Sequence, residues 1–108
     1  MKNITVSDAL RKLEGMTDQE IAEFLKRNRV RGKRGCEGQC PLAKWLQRET
    51  GRQIDVMKQG WITGDANGPV QASKTVSKFV NKFDRGDWPF LLNKKDLLEW
   101  KIKKSKKS

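Results

Sequence analysis

The side chains best equipped for chemistry in this sequence are cations. Residues 26–34, KRNRVRGKR, hold Lys26, Arg27, Arg29, Arg31, Lys33 and Arg34 without one acid. Residues 101–108, KIKKSKKS, hold Lys101, Lys103, Lys104, Lys106 and Lys107, again without an acid. These eleven equal the whole net charge of +11, because the other 13 basic residues are matched by 13 acids. A near-neutral body therefore carries two cationic segments. Charges set this close repel one another, and a polyanion relieves the repulsion while releasing its own counterions. The guanidinium fork suits phosphate, and Gly32 and Gly35 predict a backbone that a ligand can approach closely. For the lysine tail, solubility alone is an equally good reading.

Other reactive groups are sparse. The chain has no histidine, which removes histidine-dependent triads, cysteine–histidine dyads and the usual proton shuttle near neutral pH. Cys36 and Cys40 stand at C-x3-C spacing. Zinc needs four ligands, so Glu37, another carboxylate or a second chain would have to join them. A reversible disulfide is the second reading of the pair. A third is a reactive thiol at Cys40, beside basic residues and at an expected helix start, where thiol pKa falls. The plain reading is two partly buried thiols used for packing. Asp55, Asp65, Asp84 and Asp87 lie in or near expected loops and form no metal-nuclease motif; Asp in turns ordinarily serves turn geometry. No Walker or Rossmann glycine pattern occurs. The chain is accordingly read as non-enzymatic, without a cofactor. Trp45 falls on an apolar helical stripe, whereas Trp61 and Trp88 fall near turns. If exposed, either can stack on a base or anchor an interface; otherwise they are core.

The elements that must position these residues are legible from caps and periodicity. Ser7 predicts the cap of a short helix over 7–14, ended by Gly15. Thr17-Asp18-Gln19-Glu20 has the form of a capping box, and Ile21, Phe24 and Leu25 mark the core face of a helix running to about Arg29. A glycine-rich loop over 30–40 leads into a helix opened by Cys40-Pro41 and closed by Gly51. Ile54 and Val56, then Trp61-Ile62-Thr63, predict two strands, and Val70 and Ala72 a third across the turn at 64–69. Ser73 caps a helix whose apolar residues Val76, Phe79, Val80 and Phe83 keep helical spacing, and Gly86 ends it. Lys74, Lys78 and Lys82 recur off that stripe, as an extension of the basic surface or as a solvated face. Residues 88–92 predict an apolar connector. From Asn93 onward the pattern supports a last helix, although Leu98, Trp100 and Ile102 also alternate as a strand would.

The expected fold is α+β: three or four short helices packed on a two- or three-stranded antiparallel hairpin sheet. One domain over 1–103 is expected, followed by a disordered lysine-rich tail over 104–108. Apolar residues make up only 35% of the 108 residues, so the core must be small and lean on its aromatics. No apolar run reaches membrane-spanning length, and no secretory, myristoylation or prenylation signal is evident. These features predict a cytoplasmic protein with no membrane partner and its two cysteines as thiols.

Two stretches carry a resemblance. Residues 29–46, RVRGKRGCEGQCPLAKWL, and 76–92, VSKFVNKFDRGDWPFLL, resemble recurring parts of small uncharacterised proteins of actinobacterial genomes, their phages and plasmids. Those proteins share an Arg-Gly loop, a Cys-Pro helix start and a helix ending in Phe-Asp-x-Gly. The resemblance implies a common fold and a mobile-element setting, and no mechanism.

Two functions fit. In the first, the chain is a nucleic-acid-binding module that grips phosphates through the Arg/Gly loop, with the tail adding diffuse attraction and little sequence specificity. In the alternative, it is a phage or mobile-element protein that binds and inhibits a host protein or nucleoprotein complex, such as a defence nuclease, with shape-specific contacts dominating.

Overall fold

Capping chemistry divides the chain into its helices. The structure, a computed structural model, describes residues 4–33, 38–57, 59–65 and 68–105. Helix α1 (Val6–Arg11) starts two residues earlier than a cap at Ser7 would make it, because Thr5 is the cap. Thr5 Oγ1 accepts from the Asp8 amide at 3.1 Å while the Asp8 carboxylate accepts from the Thr5 amide. Asp65, far along the chain, adds a carboxylate oxygen that accepts from the Val6 amide at 3.1 Å. Helix α2 (Asp18–Arg27) has the expected reciprocal box between Thr17 and Glu20. Helix α3 (Pro41–Thr50) opens with Cys40 as cap and Pro41 in the first turn, and Gly51 closes it in the left-handed conformation.

Three short antiparallel strands follow: β1 (Asp55–Val56), β2 (Trp61–Thr63) and β3 (Val70–Gln71), in the order β1-β2-β3. Asp55 pairs with Thr63 and Val56 with Ile62; Trp61 pairs with Gln71 and Ile62 with Val70. Helix α4 (Lys74–Arg85) is capped by Ser73 and ended by Gly86, and buries the expected stripe of Val76, Phe79, Val80 and Phe83. A single 3-10 turn (Pro89–Leu91) then leads into helix α5 (Lys94–Ser105).

The fold is α+β, with five α-helices among the described residues, more than the three or four expected. The extra one is α5. The alternation of Leu98, Trp100 and Ile102 does not make a strand there, and the helix runs through Ser105, two residues beyond the expected domain end at 103. Straight-chain lysine is a good helix former, so a lysine-rich end need not break a helix already nucleated upstream. Residues 106–108 lie outside the described residues.

One core joins the layers. Ile21 and Leu25 of α2, Leu42, Trp45 and Leu46 of α3, Ile54, Ile62, Phe79, Phe83 and Leu91 are buried. Phe24 meets the Trp45 ring edge-on, with centroids 5.4 Å apart. Two ion pairs lie near the core: Lys82 of α4 pairs with Asp18 of α2 at 2.7 Å, and Lys12 pairs with the buried Glu49. Lys82 holds the Asp18 carboxyl below its ordinary range by hydrogen bonding to its charged form. No helix among the described residues is long and apolar enough to cross a membrane.

Candidate nucleic-acid interface

The cationic segment is built on the way α2 ends. Sequence spacing carries that helix to Arg29, but it stops at Arg27. Arg29 takes a left-handed backbone with φ 57°. Its amide donates to the Lys26 carbonyl at 3.0 Å, and the Val30 amide reaches back to the Leu25 carbonyl at 3.0 Å. This is a Schellman termination, with an arginine at the position where glycine is usual. Leu25 and Val30 are both buried and supply the apolar contact that accompanies such ends. A left-handed non-glycine residue is strained by roughly 1–2 kcal/mol. Here it aims Arg29 into solvent beside Lys26 and Arg27, and all three are exposed.

Beyond Val30 the chain is extended and held on both sides. The Gly32 amide donates to the Leu91 carbonyl at 2.8 Å, and the Asn93 amide donates to the Gly32 carbonyl at 3.1 Å. Gly32 thus forms a parallel bridge with Leu92. The Lys33 amide donates to the Gln39 carbonyl at 2.7 Å. A methyl group at Gly32 would lie 2.2 Å from the Gln39 oxygen and 2.6 Å from the Pro41 nitrogen. The expectation that Gly32 frees the backbone to meet a ligand is therefore corrected. Its two backbone groups are already bonded, and its missing side chain lets two chain segments cross. Val30 and Gly32 point inward, while Arg31 and Lys33 between and after them are exposed.

The segment borders a cleft of ≈ 420 Å³ lined by Lys26, Arg29, Val30, Arg31, Phe90 and Leu97. Its rim is cationic and its floor apolar. Lys26 Nζ stands 5.1 Å from the Phe90 ring centroid, and the Arg31 guanidinium donates to the Leu92 carbonyl at 3.2 Å. No acid lines this cleft, and no ion pair among the described residues engages Lys26, Arg27, Arg29, Arg31 or Lys33. A second cleft of the same volume, between α1 and the β3–α4 segment, has Arg11 and Glu14 among its lining residues and so mixes both signs of charge. Arg48 of α3 was not anticipated: it donates to the Asn28 carbonyl at 2.7 Å and brings another exposed cation to the end of α2. Only the tertiary packing of α3 on α2 shows it, because 20 residues separate the partners in sequence.

The remaining expected site residues do not line this cleft among the described residues. Lys101 is exposed on α5, Lys103 and Lys104 occupy its last turn, and Arg34, Cys36, Lys106 and Lys107 lie outside the described residues. Trp88 is not a stacking surface. It is 9% exposed, lies against Phe79 with centroids 4.9 Å apart, and its indole donates to Gln19 Oε1 at 2.9 Å. Trp61 is 44% exposed, but it sits on β2 and does not line the cleft. Of the lysines off the α4 stripe, Lys82 is committed to Asp18, while Lys74 and Lys78 are exposed.

The thiol reading of Cys40 is also corrected. Its residue is 3% exposed, and burial pushes the thiol up to about 11 rather than down. Desolvation of the thiolate outweighs the helix terminus, although Sγ accepts from the Ala43 amide at 3.4 Å. Cys40 acts as a cap. Among the described residues no group of three or more metal-ligating side chains gathers, and Asp65 serves to cap α1. No protein-family model, no curated protein and no solved structure matches the chain. The likeness seen in residues 29–46 and 76–92 therefore rests on those residues alone.

Proposed function

We propose that the chain is a non-enzymatic nucleic-acid-binding module that holds phosphates through Lys26, Arg27, Arg29, Arg31 and Lys33. One observation carries this reading. Five cations stand exposed on a single pinned segment, and no described carboxylate pairs with them. A loose loop would lose conformational freedom on binding, and hydrogen bonds at Gly32 and Lys33 have already taken much of that loss during folding. Because the contacts go to the backbone, affinity exceeds sequence discrimination. A cytoplasmic setting suits a buried cysteine kept as a thiol.

The test is a salt titration of binding to short single- and double-stranded oligonucleotides. If each of the five cations neutralises one phosphate, log affinity falls against log salt with a slope of about −4.5 for duplex, or roughly 500-fold between 50 and 200 mM salt. Replacing Lys26, Arg29, Arg31 and Lys33 with Ala should remove most of that slope. No binding at 50 mM salt by folded protein rejects the reading.

A second reading, an inhibitor of a host protein or nucleoprotein complex in a mobile-element setting, draws on apolar surface away from the cations. Trp61, Leu98 and Ile102 are 44%, 60% and 47% exposed, and tryptophan is enriched among the anchors of protein interfaces. It predicts poor binding to nucleic acid alone and a salt-tolerant complex with one partner protein.

A further inference from the structure

We infer that the cleft between the end of α2, the 3-10 turn and α5 accepts one unpaired nucleotide, its phosphate on Lys26, Arg29 and Arg31 and its base on Phe90 and Leu97. This rests on the nucleic-acid reading and narrows it from polyanions in general to single strands. The lining divides by chemistry. Lys26, Arg29 and Arg31 are exposed, whereas Phe90 and Leu97 are half-buried behind them. A flat apolar group attached to an anion meets both layers at once. A phosphodiester alone meets only the rim and leaves the floor uncovered.

Duplex nucleic acid presents the wrong surface to such a cleft, since its base faces are stacked on one another and only phosphates and groove edges point outward. A single strand offers bases that can be splayed out and laid on an aromatic ring. The volume of ≈ 420 Å³ falls within the ordinary range of small-molecule sites, about 300–1,000 Å³. Lys26 Nζ at 5.1 Å over the Phe90 ring marks the ring as available to a planar or cationic group. Its ammonium sits on a flexible stem, and the contact is with an exposed lysine, so it is weaker than stacking with a base. On binding, Lys26 swings onto the phosphate and the base takes its place on the ring.

The experiment compares four probes at 50 mM salt by fluorescence anisotropy: oligo(dT), oligo(U), an abasic deoxyribose-phosphate oligomer of equal length, and a hairpin-closed duplex of equal charge. The expected result is that both single strands bind about tenfold more tightly than the abasic oligomer and the duplex. Phe90→Leu, which keeps apolar volume but removes the ring, should erase that margin and leave duplex binding unchanged. Trp61→Ala should leave the margin intact. Equal binding of all four probes overturns the inference while the phosphate-binding reading stands. So does a margin that vanishes with Trp61→Ala and survives Phe90→Leu. No binding of any probe overturns both. Should Phe90→Leu fail to fold, the abasic comparison and Trp61→Ala still decide, because neither touches the core.

Discussion

Residues 26–33 and helix α5 both carry cations on exposed positions, but the fold holds them in different ways. The second half of the first segment is tied to the rest of the chain at several points. Val30 is buried, Gly32 is bonded to Leu91 and Asn93, and Lys33 to Gln39. Helix α5 packs chiefly on the 3-10 turn, leaves Leu98 and Ile102 exposed, and carries Lys94, Lys95 and Lys101 at exposed positions. The same kind of charge therefore yields unequal sites, the more so because Asp96 and Glu99 offset part of the charge of α5. Where backbone positions are fixed, the geometry between cations is set before a ligand arrives, and a phosphate spacing can be selected. Where a helix stands clear of the core, the cations add a field that draws any polyanion and discriminates little.

The sharpest way to break this contrast is Gly32→Ala. The added carbon would lie 2.2 Å from the Gln39 oxygen and 2.6 Å from the Pro41 nitrogen, both main-chain atoms that cannot move alone. Destabilisation of at least about 3 kcal/mol is expected, seen as a fall in Tm of more than about 10 °C. A surviving fold should lose the steep salt dependence of the 26–33 segment. If Gly32→Ala melts like the parent protein, the segment is not held at this crossing.

A milder loosening is available through pH. Cys40 adjoins the same crossing through its main chain, and its thiol is raised from 9.0 to about 11 by burial. A thiol whose folded pKa lies above its unfolded one binds its proton more tightly when folded. Its contribution is therefore full below pH 9 and disappears as pH rises to about 11. The loss across that window is roughly 2–3 kcal/mol. Denaturant titrations between pH 8 and 11 should show it, and Cys40→Ser should flatten the dependence. The same burial makes Cys40 slow to react with thiol reagents in native protein. This is measurable in a Cys36→Ser background.

Much of the fold was legible because caps and periodicity are local. Thr17 and Glu20, Ser73, the Pro41 start and the Gly51 and Gly86 stops each satisfy backbone groups within a few residues, so the pattern and the structure coincide. The Ser7 cap failed by local competition: Thr5 and Asp8 form a reciprocal box that one serine cannot match. The charge asymmetry was legible, but the cleft was not. Phe90 and Leu97 approach Lys26 and Arg29 because the 3-10 turn packs on α2 and Gly32 bridges to Leu92, and no periodicity signals contacts between residues so far apart in sequence. Trp88 stays open between surface and core in the sequence for the same reason, since its position near a turn says nothing of Phe79 and Gln19, which it meets in the core. For Cys40 the plain reading as a packed thiol agrees with its burial, and the reactive-thiol alternative arose because its helix-start position is visible in sequence and its burial is not.

The finest test of the contrast uses one substitution at two places. At Arg29, glycine removes a side chain from a left-handed position, φ 57°, and relieves strain worth roughly 1 kcal/mol. Arg29→Gly should therefore raise stability slightly while weakening binding several-fold, because the guanidinium at the cleft rim is gone. At Lys101, an exposed position inside α5, glycine faces ordinary helix geometry, where it costs about 1 kcal/mol relative to a good helix former. Lys101→Gly should loosen the end of α5 and change affinity less than twofold. Opposite signs on helix content and stability, with the larger binding loss at the more stable variant, would mean that Arg29 is kept left-handed for what it holds rather than for the fold. If Arg29→Gly instead lowers stability, the arginine is part of the scaffold, and the preorganisation assigned to residues 26–33 loses its strained anchor.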